Sequence, residues 1–151
     1  MSRRLEQFKA ELRSVGFQRE VHFAWFHAER AKATMQMYEK LGDVRTTSHL
    51  LAEAATLSKP QDDLQRELRQ RLEQLIAQLN RTQILLEEGL RERIRSFADD
   101  ADSAASLLKR VTSVYDPPFK VWMERESRIK ELLREIEKSF RESLTAPIPA
   151  P

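Results

Sequence analysis

The sequence predicts an all-α protein, arranged as an elongated antiparallel helical bundle or coiled coil with three or four helices and one long central helix at about 60–115. Three observations predict this class: 33% of the residues are charged, only three of 151 are glycine, and apolar residues recur at three- and four-residue steps. A chain of this length can bury its own core. We therefore expect a single bundle domain at 1–144 and a disordered Pro-rich tail at 145–151.

The N-terminal region carries two apolar stripes with different phases. The first consists of Leu5, Phe8, Leu12 and Val15, and the second, after Gly16, consists of Phe17, Val21, Ala24, Ala28, Ala31, Met35 and Tyr38. The change of phase predicts a kink or a change of buried face at Gly16. Further apolar residues lie on another side of residues 17–41, which predicts that this helix lies between two others. Gly42 is expected to end it, and residues 45–57 to form a short helix.

The long central helix is predicted from the absence of proline between Pro60 and Pro117. Pro60 is suited to the first turn of a helix, with Asp62 and Asp63 where carboxylates are favourable, and the next proline is Pro117. A helix over 60–115 would be about 80 Å long. Its weakest points are Gly89 and the acidic segment that begins at Asp99, and the sequence leaves open which of the two breaks it.

The last helix is predicted to follow the turn at Pro117 and Pro118 and to fold back antiparallel on the long one. Its apolar stripe is thin and most other positions are charged. The stripe consists of Phe119, Trp122, Ile129, Leu133, Ile136, Phe140 and Leu144.

No catalytic, cofactor or metal motif emerges from the sequence. The absence of cysteine excludes disulfides, thiol nucleophiles and zinc ribbons. His22 and His27 are five residues apart, which separates them by about 140° on a helix and prevents both from binding one metal ion. His49 is expected on the surface of a short helix. We therefore expect no catalytic residue, no cofactor and no metal, and a protein that is not an enzyme.

The charge pattern and the hydropathy limit the partners and the compartment. The 26 basic and 24 acidic residues are mixed along the chain, whereas nucleic-acid binding favours a concentrated basic face. Nucleic acid is therefore an unlikely partner. The basic N-terminus is not followed by an apolar segment, and nowhere do about 18 apolar residues run together. We expect a cytoplasmic protein.

Candidate interface residues fall into an aromatic group, a leucine stripe and a charge block. The aromatic cluster is either core or an exposed anchor for a partner, and the opposite charges of the block could meet in an antiparallel dimer. The candidates are Phe23, Trp25, Phe26, Leu64, Leu68, Leu72, Leu75, Leu79, Arg91, Arg95, Asp99 and Asp102.

The function predicted from these features is that of a helical scaffold or adaptor. It would mediate protein–protein interaction or self-assembly through long amphipathic helices, as a homodimer held through the long helix, with a protein partner that the sequence does not identify. The alternative is a peripheral membrane or lipid-surface binder, in which a basic face of the bundle meets anionic headgroups.

Overall fold

The computed structural model describes the backbone of residues 2–145, and their side chains except those at 2, 5, 12, 15–20 and 23. Four α-helices occur, α1 (Ser2–Thr56), α2 (Asp62–Arg81), α3 (Glu88–Leu108) and α4 (Pro117–Thr145), with a 3-10 turn at Gln83–Leu85. The described residues contain no strand. The all-α class and the expected number of helices are therefore confirmed. Of the tail predicted at 145–151, Thr145 is the last residue of α4, and 146–151 lie outside the described residues.

The four helices form an antiparallel bundle in which each helix packs against the next and α4 returns to α1. A hydrogen bond joins every neighbouring pair: Gln78 Nε2 to Gln36 Oε1 (2.9 Å), Gln65 Nε2 to the Ala105 carbonyl (2.9 Å), Arg93 Nη1 to Ser139 Oγ (2.7 Å) and Arg30 Nη1 to the Ser143 carbonyl (3.4 Å). The largest fully buried side chains come from all four helices and include Met37, Leu41, Leu51, Leu68, Leu75, Leu79, Ile94, Phe97, Leu108, Ile129 and Ile136.

The predicted long helix at 60–115 is wrong, because this span folds into the hairpin of α2 and α3. The helix ends at Arg81, and the backbone becomes extended at Leu86 and Glu87, just before Gly89. The segment that begins at Asp99 lies within α3 and does not break it. A straight helix would leave one leucine stripe without cover, whereas the hairpin buries Leu75 and Leu79 in the same core as Ile94.

The longest helix is α1, with 55 residues and a length of about 80 Å. The predicted end at Gly42 and the separate helix at 45–57 are wrong, since α1 is helical throughout. The helix also continues through Gly16, while the side chains at 15–20, on which the predicted change of face depends, lie outside the described residues. Gly42 lies on the outer face, and the buried positions Leu41 and Val44 continue one stripe on either side of it. The gain from burying that stripe exceeds the cost of one mid-helix glycine, which is about 1 kcal/mol.

Replacing Gly42 with alanine should therefore stabilise the protein by about 0.5–1 kcal/mol. A Cβ atom added at this position would have no neighbouring atom within 4 Å, so the substitution removes backbone entropy from the unfolded chain without a clash. Urea denaturation of the two proteins measures the difference. A loss of stability would show that α1 is not continuous at Gly42.

The end of α1 is set by its backbone hydrogen bonds. The amide of Lys59 donates to the carbonyl of Ala54 (2.8 Å) and that of Ser58 to the carbonyl of Ala55 (3.2 Å), the pattern of a Schellman motif. Ser58 takes the left-handed conformation, with φ of 55°, which glycine usually adopts at this position. The Ser58 hydroxyl donates to the carbonyl of Thr112 (2.7 Å) in the turn between α3 and α4. Glycine could not make this bond.

Candidate functional site

The N-terminal part of α1, residues 2–29, extends beyond the bundle as an arm about 40 Å long. All of its described side chains are exposed except Phe26 and Glu29, which are half-buried. Three large apolar side chains on the arm are more than half exposed, Phe8 (58%), Val21 (51%) and Trp25 (54%). Helices in proteins owe most of their stability to the packing of an apolar face. The arm therefore presents apolar surface that the described part of the chain does not cover.

Arg30 marks the point where the arm joins the bundle. It is the first buried residue of α1 among those described. Its guanidinium donates to the carbonyl of Ser143 at the end of α4, and its Cζ atom lies 4.8 Å from the centre of the Phe26 ring, a cation–π contact. Phe26 is thus partly covered from within the chain. Trp25 instead stacks on His22, with 6.2 Å between the ring centres, and remains open to solvent.

A groove follows directly beyond this point, between α1 and the end of α4, and we call it the junction groove. Its volume is about 280 Å³, and it is lined by Thr34, Met35, Tyr38, Glu137, Phe140, Arg141 and Leu144. Met35 and Tyr38 are exposed on its rim. They belong to the second stripe of the sequence, whose members Val21, Ala24 and Ala28 lie exposed on the arm. The apolar surface of the arm therefore continues into the junction groove.

A buried ion pair links α1 to α4 in the middle of the bundle. Arg45 Nη2 lies 2.6 Å from Glu126 Oε1, and the two side chains are only 13% and 9% exposed. His49 Nε2 lies 3.3 Å from the same carboxylate oxygen and 3.0 Å from Arg45 Nη2. Nε2 can donate to Glu126 only when it bears a proton and can accept from Arg45 only when it does not. The ion pair is therefore the fixed contact of the three.

The environment of Glu126 favours its ionised form. Burial alone would raise the pKa of Glu126, but the hydrogen bond and charge of Arg45, followed by those of His49, outweigh burial and hold the pKa below its ordinary value of 4.5. The cavity beside the carboxylate measures about 10 Å³, about the minimum needed to hold one water molecule. The ion pair therefore joins α1 to α4 in a nearly filled part of the core.

Four of the candidate interface leucines lie in the core and not on a surface. Leu68, Leu72, Leu75 and Leu79 are buried in α2 against the other helices, and Leu64 is half-buried beside them. Their assignment to an interface was based on a straight helix at 60–115, which would have left the stripe uncovered. The hairpin covers it within one chain.

The other candidates lie on two separate parts of the molecule. Trp25 is on the exposed arm and Phe26 at its base, whereas the side chain of Phe23 lies outside the described residues. Arg95, Asp99 and Asp102 are exposed on α3 and Arg91 is half-buried. The structure therefore does not bring the aromatic group and the charge block together.

Arg45 and Glu126 were not predicted as partners from the sequence. The sequence did contain a signal for Glu126. It lies four residues after Trp122 and three before Ile129, at a position where the apolar stripe of α4 would otherwise have an apolar residue. A carboxylate at a core position requires a partner of opposite charge. The identity of that partner depends on how α4 packs against α1, which local spacing does not specify.

Comparison with known proteins identifies no relative. The chain matches no protein-family model, no curated protein and no solved structure. Among the side chains that the structure describes, no three histidine, aspartate or glutamate residues meet in a way that could hold a metal ion. Over the same residues, no helix is both long enough and apolar enough to cross a membrane.

Proposed function

We propose that this protein is a non-enzymatic helical scaffold or adaptor that associates through its N-terminal arm, first of all with a second copy of itself. The observation that carries the proposal is the exposure of Val21 and Trp25, about 40° apart on one side of a helix that continues without interruption into the bundle. Single exposed apolar residues are common on protein surfaces. An exposed series on one projecting helix is typical of an interface.

The second apolar stripe supports a helical partner. Its central members, Ala24 and Ala28, are small, so that a second helix can approach closely, and the larger Val21 and Met35 lie on either side of them. The junction groove extends the same surface onto α4 through Phe140 and Leu144. A helix lying along the arm could therefore reach the bundle as well.

A second copy of this chain is the occupant that the arm itself suggests. Two arms paired antiparallel about a two-fold axis near Gly16 would bring Phe8 of one arm level with Trp25 of the other. The same register would bring Arg4 level with Glu29, which carries the opposite charge. Closed two-fold symmetry makes each contact twice, so one arm supplies both halves of the interface.

The mass in solution tests this proposal. Light scattering coupled to size exclusion should give twice the chain mass of 17.7 kDa for the unaltered protein. The double variant Val21→Ser/Trp25→Ser should give 17.7 kDa, because it removes apolar area from the arm without touching the core. Leu50→Ser, at an exposed apolar position of α1 alongside the bundle, is the matched control and should remain dimeric.

Cysteine cross-linking tests the register, since the chain has no cysteine of its own. Phe17→Cys, at a position of the second stripe within one residue of the two-fold axis, should form a covalent dimer on mild oxidation, whereas Leu50→Cys should not. A monodisperse 17.7 kDa species at micromolar concentration would reject the dimer. A dimer that persists in Val21→Ser/Trp25→Ser would place the interface elsewhere, for example at the charge block of α3.

A further inference from the structure

The end of the bundle opposite the arm, which we call the loop end, is formed by the turns at 57–61 and 109–116. The Ser58 hydroxyl donates to the Thr112 carbonyl (2.7 Å) and joins the two turns, and Gln61 Nε2 donates to the carbonyl of Leu108 (2.8 Å), the last residue of α3 before the second turn. The loop end is therefore one surface and not two independent loops.

The turn at 109–116 is also fixed internally. The carboxylate of Asp116 accepts hydrogen bonds from the amides of Thr112 (2.6 Å) and Ser113 (3.0 Å) and from the Thr112 hydroxyl (3.0 Å). These bonds, the backbone bond from Thr112 first among them, lower the pKa of Asp116. Its charge is thus engaged by the turn, and the turn presents the residues between Ser113 and Asp116 outward.

Those outward residues are apolar. Tyr115 is 91% exposed, and Val114 beside it is about half exposed, as is Leu57 on the neighbouring turn. Turns usually carry polar or small residues because they face water. Large apolar side chains therefore lie at the tips of two joined turns, away from the core. They are suited to insert into a surface that has a polar outer layer and an apolar interior.

Basic side chains surround these apolar tips. Lys59, Arg66, Arg69 and Lys109 line a cleft of about 610 Å³ at the loop end, whose acidic member is Asp62. Arg110 and Lys120 are exposed beside the second turn. The acidic residues nearby are Asp62, Asp63, which pairs with Arg66 (3.4 Å), and Asp116, so the six basic side chains outnumber three acidic ones. The open charge around the tips is therefore mainly positive.

We propose that the loop end docks on an anionic lipid surface, with Leu57, Val114 and Tyr115 entering the headgroup region and the surrounding lysines and arginines meeting lipid phosphates. A tyrosine at the apolar–polar boundary is well suited to this position. Basic residues near an anionic surface contribute a factor of roughly five each to binding. This contact is independent of the arm, which lies at the other end of the bundle, so both surfaces can be occupied at once.

Vesicle co-sedimentation of the full chain tests the proposal. The protein should sediment with phosphatidylcholine vesicles that contain phosphatidylserine and much less with pure phosphatidylcholine. Val114→Ser/Tyr115→Ser and, separately, Lys109→Glu/Arg110→Glu should each weaken binding by about tenfold or more. All four side chains are exposed, so each variant should fold, and circular dichroism will check this.

Matched controls lie away from the loop end. Ile84→Ser removes an exposed apolar side chain from the turn at the opposite end, and Arg134→Glu/Lys138→Glu reverses two exposed charges on α4. Both should bind within about twofold of the unaltered protein. The proposal is overturned if the unaltered protein does not sediment with anionic vesicles, or if the loop-end variants bind no more weakly than these controls. The proposal is also overturned if Val21→Ser/Trp25→Ser loses vesicle binding while the loop-end variants keep it, because the lipid contact would then lie on the arm.

Discussion

Replacing Phe97 with alanine is expected to lower the free energy of unfolding by about 3–5 kcal/mol, the largest effect of any single substitution considered. Phe97 is fully buried in α3. It lines the small central cavity together with Leu51, Leu68 and Ile129, one side chain from each of the other helices. Removing the ring therefore takes away contacts to all three neighbours and leaves a cavity that helix packing can close only in part.

Urea denaturation measures this effect. Phe8→Ala is the matched control, because Phe8 is the same residue type on the exposed arm and should change the stability of the bundle by no more than about 0.5 kcal/mol. Phe97→Leu should fall between the two, since leucine refills part of the volume. If Phe97→Ala and Phe8→Ala had equal effects, the four helices would not close around α3 as described.

Removing the carboxylate of Glu126 is expected to cost about 3 kcal/mol or more. In Glu126→Ala the guanidinium of Arg45 stays nearly buried and loses the oxygen that lies 2.6 Å from it. An unpaired charge in such a site is far less favourable than an apolar pair. Arg45→Met/Glu126→Leu should therefore be close to the unaltered protein in stability, although it lacks the ion pair altogether.

Acid should distinguish the unaltered protein from that double variant. The pKa of Glu126 is lower in the folded state than its ordinary value of 4.5, so the ion pair contributes stability that is fully present above pH 4.5 and is lost as the pH falls through the folded-state pKa. The unaltered protein should accordingly lose more stability between about pH 5 and pH 3 than Arg45→Met/Glu126→Leu. Parallel acid titrations of the two would instead show that Glu126 is not stabilised by Arg45.

The secondary structure was predictable where a proline or an unbroken period defines it. The last helix follows the proline signal, although Pro117 and Pro118 form its first turn and not the turn before it, and the stripe through Ile129, Ile136 and Phe140 is its buried face. Gly42 was the misleading signal, whereas Gly89 does lie next to the break between α2 and α3. The cost of a glycine in a helix is about 1 kcal/mol, which is smaller than the gain from burying residues on both sides of Gly42, so α1 continues through it.

The break between α2 and α3 shows a different limit. Local spacing from Leu64 to Val111 fits one helix, and the turn at 82–87 contains no proline. The hairpin is preferred because it buries two leucine stripes against each other, a contact between residues that are far apart in the sequence. Spacing identifies the face of a helix that can be buried but not the partner that covers it, which is also why Arg45 could not be matched to Glu126.

The continuity of α1 between the arm and the bundle has a mechanical consequence. Each helical residue adds about 1.5 Å of rise and 100° of rotation. A partner bound to the arm is therefore held at a fixed distance from the bundle and at a fixed rotation about the helix axis. One residue added between Ala28 and Glu29 would turn the arm by about a quarter of a revolution, whereas seven would lengthen it by about 10 Å and nearly restore its facing direction. The number of residues between the partner's binding site on the arm and the start of the bundle therefore sets both the distance and the relative orientation of the partner and the bundle.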